Sequence, residues 1–153
     1  MPASNIEHIL DRAEQHCIEH GARLTRKRKQ VLSELIKSQR ALSAYELADI
    51  HATEFGESLP AMSVYRILDF LIEENLVHKL ELSNKYIACA HISCDHAHQI
   101  SQFLICRECN KVKEIAIDKT TFDELKTSVE HAGFALSNPR LELSCICNDC
   151  SLV

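Results

Sequence analysis

Apolar residues in the first 75 positions recur every three or four residues, in four stretches separated by breaks. This spacing places the apolar side chains of each stretch on one face of an α-helix. Ser4–Glu7 and Ser43–Glu46 have the capping-box pattern that begins helices, and Gly21 and Gly56 suit helix ends. The pattern therefore predicts four helices, which begin near Ser4, Thr25, Ser43 and Pro60.

The apolar period changes to two between Leu76 and Cys89, with a turn at Ser83-Asn84. Alternation of this kind around a turn predicts a β-hairpin. The next ten residues, 90–99, are polar, rich in histidine and without a period, so we interpret them as a hinge. The sequence thus divides into residues 1–89, the hinge at 90–99 and a second domain at 100–153.

The second domain mixes strand and helix patterns. Residues 100–105 and 111–117 are apolar runs that predict two strands, and 134–146 predicts a third, interrupted at Asn138-Pro139. Between them, 118–132 has helical spacing with Phe122, Leu125 and Val129 on the inner face. The predicted fold class is α+β, and so small a second domain needs a metal or a partner subunit for stability.

Two Cys-x-x-Cys pairs mark this domain, Cys106–Cys109 and Cys147–Cys150. Thiolates are preferred ligands of Zn²⁺, and each pair has the spacing of half a tetrahedral site. One pair is weak support for a metal, but two favour a structural zinc site with four thiolates. The 37 residues between the pairs exceed the roughly 15–20 of an ordinary zinc ribbon, so a strand–helix–strand unit must lie in the loop. Cys145 shares a strand face with Cys147 and stays open as a competing ligand.

The arrangement of the third and fourth helices favours DNA binding. A short helix, a turn and a second helix with Ser63, Tyr65 and Arg66 on its polar side have the layout of a helix-turn-helix, and the hairpin follows as the wing of a winged-helix domain. Arginine can bind guanine or phosphate, and tyrosine can reach phosphate or a thymine methyl group. Five positive charges at Arg23, Arg26, Lys27, Arg28 and Lys29 form a local basic patch.

Overall composition limits the other possibilities. The chain of 153 residues is 46% hydrophobic and carries a net charge of −5, so DNA contact depends on the local patch. No apolar run approaches the length of a membrane span, and the polar start does not resemble a signal peptide. We therefore expect a cytoplasmic protein without a membrane partner, in which eight cysteines serve as metal ligands more readily than as disulfides.

In combination these motifs resemble the ferric uptake regulator (Fur) family of metal-sensing repressors, most closely its zinc uptake regulator (Zur) branch. The resemblance implies an N-terminal winged-helix DNA-binding domain, a small α/β dimerisation domain and a homodimer that binds a palindromic, AT-rich operator when loaded with zinc. The segments that carry it are Arg23–Arg28, Ser43–Leu47, Ser63–Leu71, Val77–Lys79, Phe103–Cys109 and the terminal Cys-x-x-Cys.

Two zinc ions per subunit are implied by the resemblance. The structural ion falls on Cys106, Cys109, Cys147 and Cys150, and the sensing ion on His78, Cys89, Glu114 and a histidine of the hinge. The hinge is longer than in related sequences, which leaves this ligand ambiguous. We favour His98 over His96, and His91 and Cys94 are weaker candidates. The DNA-facing positions implied are Tyr45, Ser63, Tyr65, Arg66, Arg23, Arg26, Lys27 and Arg28.

The chain departs from the family pattern at the second helix, where Thr25-Arg26-Lys27-Arg28 replaces Thr-Pro-Gln-Arg. Other histidines, among them His8, His16, His20 and His51, are interpreted as surface or core residues, and His131 as at most an auxiliary ligand.

Other functional classes are less well supported. An iron- or peroxide-sensing member of the same family is the alternative, but it predicts a sensing site of nitrogen and oxygen ligands without Cys89. A zinc hydrolase or deaminase would need an open metal position beside a general base, and the chain has no H-x-E motif. A thiol–disulfide enzyme would place Cys106 at a helix start. We therefore expect a non-enzymatic protein without a small-molecule substrate.

Overall fold

A computed structural model describes residues 3–38, 40–90, 92, 101–137 and 140–151. The chain divides into two compact units, Met1–Asp95 and His96–Val153. Among the described residues, no helix combines the length and apolar character needed to cross a membrane. Helices dominate the first unit and a small sheet organises the second, so the predicted α+β class is confirmed.

Four helices build the first unit, and side-chain capping explains where two of them begin. The Thr25 hydroxyl accepts a hydrogen bond from the Arg28 amide at 3.4 Å, so a helix starts here without the proline usual in the family. Ser43 and Glu46 form the predicted capping box, with bonds of 3.1 and 3.2 Å. The helices are α1 (Ala3–Glu19), α2 (Arg26–Lys37), α3 (Ala44–Phe55) and α4 (Ala61–Glu73).

The first helix starts within one residue of the predicted position, but the predicted capping role of Ser4 was wrong. Helix α1 begins at Ala3, so Ser4 lies inside the helix instead of preceding it. Alanine has the highest intrinsic helix propensity, which allows the helix to extend past a capping residue. The predicted end is confirmed, because Gly21 follows α1 with a φ of 72° in the left-handed region.

The predicted hairpin follows α4 as strands β1 (Val77–Leu80) and β2 (Lys85–Ala88), paired antiparallel with His78 opposite Ile87. Backbone hydrogen bonds of 2.8 and 3.0 Å join Tyr86 to Leu42, just before α3. Strand β2 of the wing is therefore hydrogen-bonded, through Tyr86, to the segment just before α3.

Core packing of α4 decides which of its residues face outwards. Its stripe, Val64, Ile67, Leu68 and Leu71, is buried against a cluster that includes residues of α1, α2 and α3. Burial at this spacing fixes the rotation of the helix about its axis, so Arg66 is exposed.

The second unit is built on a three-stranded sheet. Strand β3 (Ser101–Cys106) is central, antiparallel to β4 (Val112–Ala116) and parallel to β5 (Leu141–Cys145). Helix α5 (Lys119–His131) connects the two outer strands, and the short α6 (Asn148–Ser151) follows β5. A strand–helix–strand unit thus lies between the two Cys-x-x-Cys pairs, as the sequence predicted.

The predicted inner face of α5 is partly wrong. Phe122 is buried, but Leu125 is 37% exposed and Val129 only half-buried. Phe134, beyond the helix, is 73% exposed. The single chain therefore leaves these apolar side chains partly or largely exposed.

A buried acid–base pair interrupts the core of the first unit. The Nδ1 atom of His51 on α3 lies 3.5 Å from Oε1 of Glu34 on α2, and both side chains are almost fully buried. Burial, with a smaller contribution from the charge of Glu54, raises the pKa of Glu34 to about 7. Burial also lowers the pKa of His51, so both groups are held towards their neutral forms.

We expect Glu34 to make the first unit less stable as the pH rises from about 4.5 to about 7. Its folded-state pKa lies above its unfolded value, so the native state binds the proton more tightly and loses this advantage through that window. A shift of this size corresponds to roughly 3 kcal/mol. The measurement is the free energy of unfolding in urea at pH 5 and at pH 8. The difference between Glu34→Gln and wild type should shift in favour of Glu34→Gln at pH 8.

Glu73→Gln, an exposed change on α4, is the control and should follow wild type at both pH values. An unchanged difference between wild type and Glu34→Gln across the window would contradict this account of the buried carboxyl group.

Candidate metal centres and nucleic-acid interface

Four thiols of the second unit converge where the loop after β3 meets the start of α6. Cys106 ends β3, and the amide of Asn110 donates to its carbonyl oxygen at 2.9 Å, which closes a tight turn around Cys109. Asn110 has a φ of 63°, a conformation that asparagine tolerates well. The amide of Cys150 donates to the Cys147 carbonyl oxygen at 3.1 Å and closes the second turn.

The distances among these thiols fit a tetrahedral metal. The sulfur atoms of Cys106, Cys109, Cys147 and Cys150 all lie within 4.8 Å of one another. The Sγ atoms of Cys109 and Cys147 are 3.8 Å apart, and two thiolates at about 2.3 Å from one tetrahedral zinc are separated by about 3.8 Å. A disulfide would need about 2.05 Å. The four residues therefore form a preorganised tetrathiolate site.

The pKa values of two of these thiols indicate why the cluster needs a cation before all four can ionise. Hydrogen bonds from the backbone amides of Cys147 and Cys109 lower the pKa of Cys106 to about 6. A hydrogen bond with the Cys147 side chain, together with burial, raises the pKa of Cys150 to about 12. Backbone amides thus stabilise the Cys106 thiolate, whereas Cys150 keeps its proton, and four thiolates this close together would repel one another. A divalent cation would offset that repulsion and allow all four thiols to ionise.

Cys145 lies next to this cluster without belonging to it. It pairs with Cys106 across β3 and β5, and its thiol donates to the carbonyl oxygen of Leu143 at 3.5 Å. Among the described residues, the group of converging sulfur atoms comprises Cys106, Cys109, Cys147 and Cys150, without Cys145.

The wing of the first unit brings two of the predicted sensing ligands together. His78 lies on β1, and Cys89 follows β2, where its amide donates to the Leu76 carbonyl oxygen at 2.9 Å. A ring nitrogen of His78 and the Cys89 sulfur lie within 4.8 Å of each other. Cys89 is only 4% exposed. The hairpin therefore presents an imidazole and a thiol at its base.

The remaining predicted sensing ligands lie in the second unit or outside the described residues. Glu114 is half-buried on β4, opposite Phe103 of β3. His96 and His98 fall outside the described part of the chain, as do the weaker candidates His91 and Cys94.

Two tyrosines mark the face of the first unit that carries the predicted DNA-binding residues. Tyr45, near the start of α3, is 66% exposed. Its ring meets that of Tyr65 on α4 edge to face at 6.5 Å between centroids. Arg66 is exposed beside them and Ser63 is half-buried. The first turns of both helices thus share a polar, aromatic surface.

Some residues of the basic patch at the start of α2 make contacts within the fold. Arg28 stacks on the Phe70 ring at 3.8 Å and donates to the Arg23 carbonyl oxygen at 2.8 Å. Arg26 forms an ion pair with Glu57 at 3.1 Å. Lys27 and the side chain of Arg23 are exposed. Arg28 therefore fixes the start of α2 against α4. Lys27 and Arg23 are better placed to contact the phosphates of DNA.

Sequence reasoning missed one cluster of potential ligands. His16, His20 and Glu74 place a nitrogen or oxygen atom each within 4.8 Å of one another, whereas the two histidines were predicted to be ordinary surface or core residues. The spacing His16-x-x-x-His20, one turn apart on a helix, was the signal in the sequence. Glu74 could not be linked to them because it lies more than 50 positions away in the chain.

Comparisons with known proteins agree on one family. The model of the ferric uptake regulator family matches residues 19–144. The chain is 34% identical over 150 residues to the zinc uptake regulation protein of Escherichia coli K12, with 98% of this chain and 85% of that protein covered.

Solved structures give the same result. A zinc uptake regulator complexed with zinc and DNA superposes with a TM-score of 0.79 at 32% identity, covering 96% of this chain and 95% of the other. The crystal structure of holo XcZur gives a TM-score of 0.74 at 33% identity, with 94% and 97% covered.

We expect cobalt titrated into the metal-free, reduced chain to give thiolate-to-cobalt charge-transfer absorption from the tetrathiolate site. Cys150→Ser removes one sulfur ligand and should weaken both the absorption and the affinity. Cys145→Ser is the matched control, because it deletes a neighbouring thiol outside the cluster, and it should leave the spectrum unchanged. Loss of the signal in Cys145→Ser with retention in Cys150→Ser would show that the ligand set is wrong.

Proposed function

This chain belongs to the ferric uptake regulator family, and we propose that it acts as a zinc-responsive repressor of zinc uptake genes. The observation that carries the zinc assignment is the buried thiol of Cys89 beside the imidazole of His78 at the base of the wing. Thiolate ligands favour Zn²⁺ over Fe²⁺ and Mn²⁺, which suit sites of nitrogen and oxygen. Similarity to zinc uptake regulators over nearly the full length of the chain supports the same assignment.

Two zinc ions per subunit follow from this proposal. Cys106, Cys109, Cys147 and Cys150 hold the structural ion and stabilise the second unit. His78, Cys89 and Glu114 hold the sensing ion together with a hinge histidine, for which His98 is preferred and His96 is the alternative.

The sensing ligands come from both units, which explains how zinc could control DNA binding. Bound zinc supplies a crosslink that only one arrangement of the ligands can satisfy. The chain therefore responds by a shift in population towards that arrangement. His78 and Cys89 are suited to this role because both stand at the base of the wing, and the wing directly follows the recognition helix α4.

The proposed DNA surface consists of the exposed beginnings of α3 and α4. Arg66 and Tyr65 lie in the first half of α4, where a recognition helix contacts base edges. Tyr45, Ser63, Arg23 and Lys27 flank them as contacts to the backbone or to bases, while Arg26 and Arg28 contribute charge from positions also engaged within the fold. A DNA-binding role of this kind belongs in the cytoplasm.

The proposed assembly is a homodimer formed through the second unit. Four large apolar side chains of this unit are exposed in the single chain: Leu125, Phe134, Leu143 and Ile146, with exposures of 37%, 73%, 48% and 44%. Apolar exposure of this extent on a small unit is typical of an interface. Two recognition helices would then meet successive major grooves of a palindromic operator, which we expect to be AT-rich.

The iron- or peroxide-sensing alternative is not favoured. The peroxide operon regulator of Bacillus subtilis is 29% identical over 148 residues, and the ferric uptake regulation protein of Helicobacter pylori is 33% identical over 115 residues, 72% of this chain. The match to the Escherichia coli zinc regulator has a similar identity of 34% but extends over 98% of this chain. The position of Cys89 beside His78 also favours zinc.

We expect the affinity of the chain for a palindromic AT-rich duplex to rise by roughly 5- to 150-fold as free Zn²⁺ increases, the usual range of coupling between two sites. His78→Ala and Cys89→Ser should each abolish this rise, because each removes one sensing ligand. The measurement is fluorescence anisotropy at fixed ionic strength in metal-buffered solution, with Fe²⁺ and Mn²⁺ as competing metals.

His131→Ala, an exposed histidine at the end of α5, is the control and should respond like wild type. Retention of the full zinc response in folded Cys89→Ser would contradict the zinc assignment and support the iron- or peroxide-sensing alternative.

Arg66→Ala and Lys27→Ala should weaken DNA binding in different ways. Loss of a base contact by Arg66 should cost about 1–3 kcal/mol and relax specificity at one base pair. Loss of a phosphate contact by Lys27 should weaken binding to all sequences and reduce the slope of log affinity against log salt by about 1. Salt titrations on cognate and scrambled duplexes separate the two effects, and identical behaviour of both variants would contradict these roles.

A further inference from the structure

Two histidines and a glutamate meet where the C-terminal end of α1 packs beside the end of α4. Nδ1 of His20 lies 3.2 Å from Oε2 of Glu74, and Nε2 of His16 lies 3.9 Å from the same oxygen. The two imidazole rings are 4.2 Å apart between centroids and meet edge to face. All three residues belong to the first unit and share no atom with the tetrathiolate cluster or with the wing pair.

These separations are close to those of a zinc site. Zinc binds imidazole nitrogen and carboxylate oxygen at about 2.0–2.2 Å, so two such ligands of a tetrahedral ion lie about 3.3 Å apart. The His20–Glu74 distance already has this value. The His16–Glu74 distance exceeds it by about 0.6 Å, which a small change in the exposed side chains can close.

The backbone holds the three side chains in place. Ala13 and Cys17 on α1 are fully buried. The side of α1 that carries them therefore faces the core, which fixes the rotation of the helix about its axis. His20 directly follows the last residue of α1, and its amide donates to the carbonyl oxygens of His16 and Cys17 at 3.3 and 3.1 Å, so it continues the helical turn and lies one turn after His16. Glu74 caps α4, its amide donates to the Phe70 carbonyl oxygen at 3.1 Å, and its side chain is only 15% exposed. The site is therefore built from rigid helix ends.

A hydrogen bond occupies the position that a metal would take. His16 Nε2 lies 2.8 Å from the Glu74 carbonyl oxygen, so a proton on this nitrogen is donated to that oxygen. A cation that binds Nε2 requires the tautomer with the ring proton on Nδ1, so this hydrogen bond to the carbonyl oxygen is lost, while His20 and the carboxylate contribute their lone pairs. The Glu74 carboxylate balances part of the added charge.

We propose that His16, His20 and Glu74 form a third metal site, which binds Zn²⁺ through two imidazoles and one carboxylate. Imidazole with carboxylate suits zinc, and divalent-metal affinities at such sites place zinc above iron and manganese. A site with three protein ligands leaves a position for water. With fewer thiolate ligands than the other proposed centres, it fills at higher zinc concentration.

Occupancy of this site ties α1 to the far end of the recognition helix. Ser63, Tyr65 and Arg66 lie in the first half of α4, whereas Glu74 follows its last residue. Zinc here therefore stabilises the first unit without covering the surface proposed to contact DNA. The effect of zinc at this site is distinct from that of zinc at the proposed sensing site, which uses none of these residues.

The test counts zinc equivalents on the full chain by titration against a chromophoric chelator. Wild type should bind one equivalent more than either His20→Asn or Glu74→Gln. His8→Asn, an exposed histidine on the same helix, is the matched control and should keep the wild-type count. Equal counts in all four proteins would show that the cluster is only a hydrogen-bonded ion pair and would overturn the proposal.

A measurement on unaltered protein avoids any effect of the substitutions on folding. Ni²⁺ added to the chain loaded with two equivalents of zinc, which fill the two thiolate-containing centres, should broaden the imidazole NMR signals of His16 and His20 before that of His8. Broadening of all three signals at the same Ni²⁺ concentration would overturn the proposal. Zinc-dependent DNA binding should be retained in Glu74→Gln, which separates this site from the proposed sensing function.

Discussion

The convergence of four cysteine sulfur atoms within 4.8 Å of one another is the feature on which the second unit depends, because four thiolates at this distance repel one another unless a cation lies between them. The same residues join the end of β3 to the segment after β5, so a metal at this point closes the loop that contains β4 and α5. A unit this small buries few side chains, chiefly Phe103, Ile105, Cys106 and Phe122. Its hydrophobic core alone gives little stability, and metal binding therefore contributes directly to its folding.

The first unit depends on different interactions. One apolar cluster joins residues of all four helices and the wing, and the Tyr86–Leu42 backbone pairing attaches the hairpin to the loop before α3. The same packing that buries Leu68 and Leu71 turns Arg66 outwards. The recognition surface is thus a consequence of core packing in the first unit, while the metal cluster stabilises the second.

The elements set by local chemistry could be predicted from the sequence. Thr25, Ser43 and Gly56 define helix boundaries through hydrogen bonds or backbone conformation within one turn, and the structure has each where it was expected. The two Cys-x-x-Cys pairs favoured a cluster of four sulfur atoms, and the structure brings those four together, although the sequence alone left Cys145 open as a competing ligand.

Features that depend on distant packing could not be predicted in this way. The exposure of Leu125 depends on how much of α5 the sheet can cover, which periodicity alone does not reveal. The cluster of His16, His20 and Glu74 depends on the packing of α1 against the end of α4. His78 and Cys89 become neighbours through the register of the hairpin, and the family resemblance rather than their spacing indicated them.

Amide hydrogen exchange, compared between zinc-loaded and chelator-treated protein, tests most directly whether the tetrathiolate cluster holds the second unit together. We predict that removal of zinc increases exchange throughout β3 and β5 while the core of the first unit, around Leu68 in α4, keeps its protection. Unchanged protection of β3 and β5 after complete removal of zinc would contradict the account.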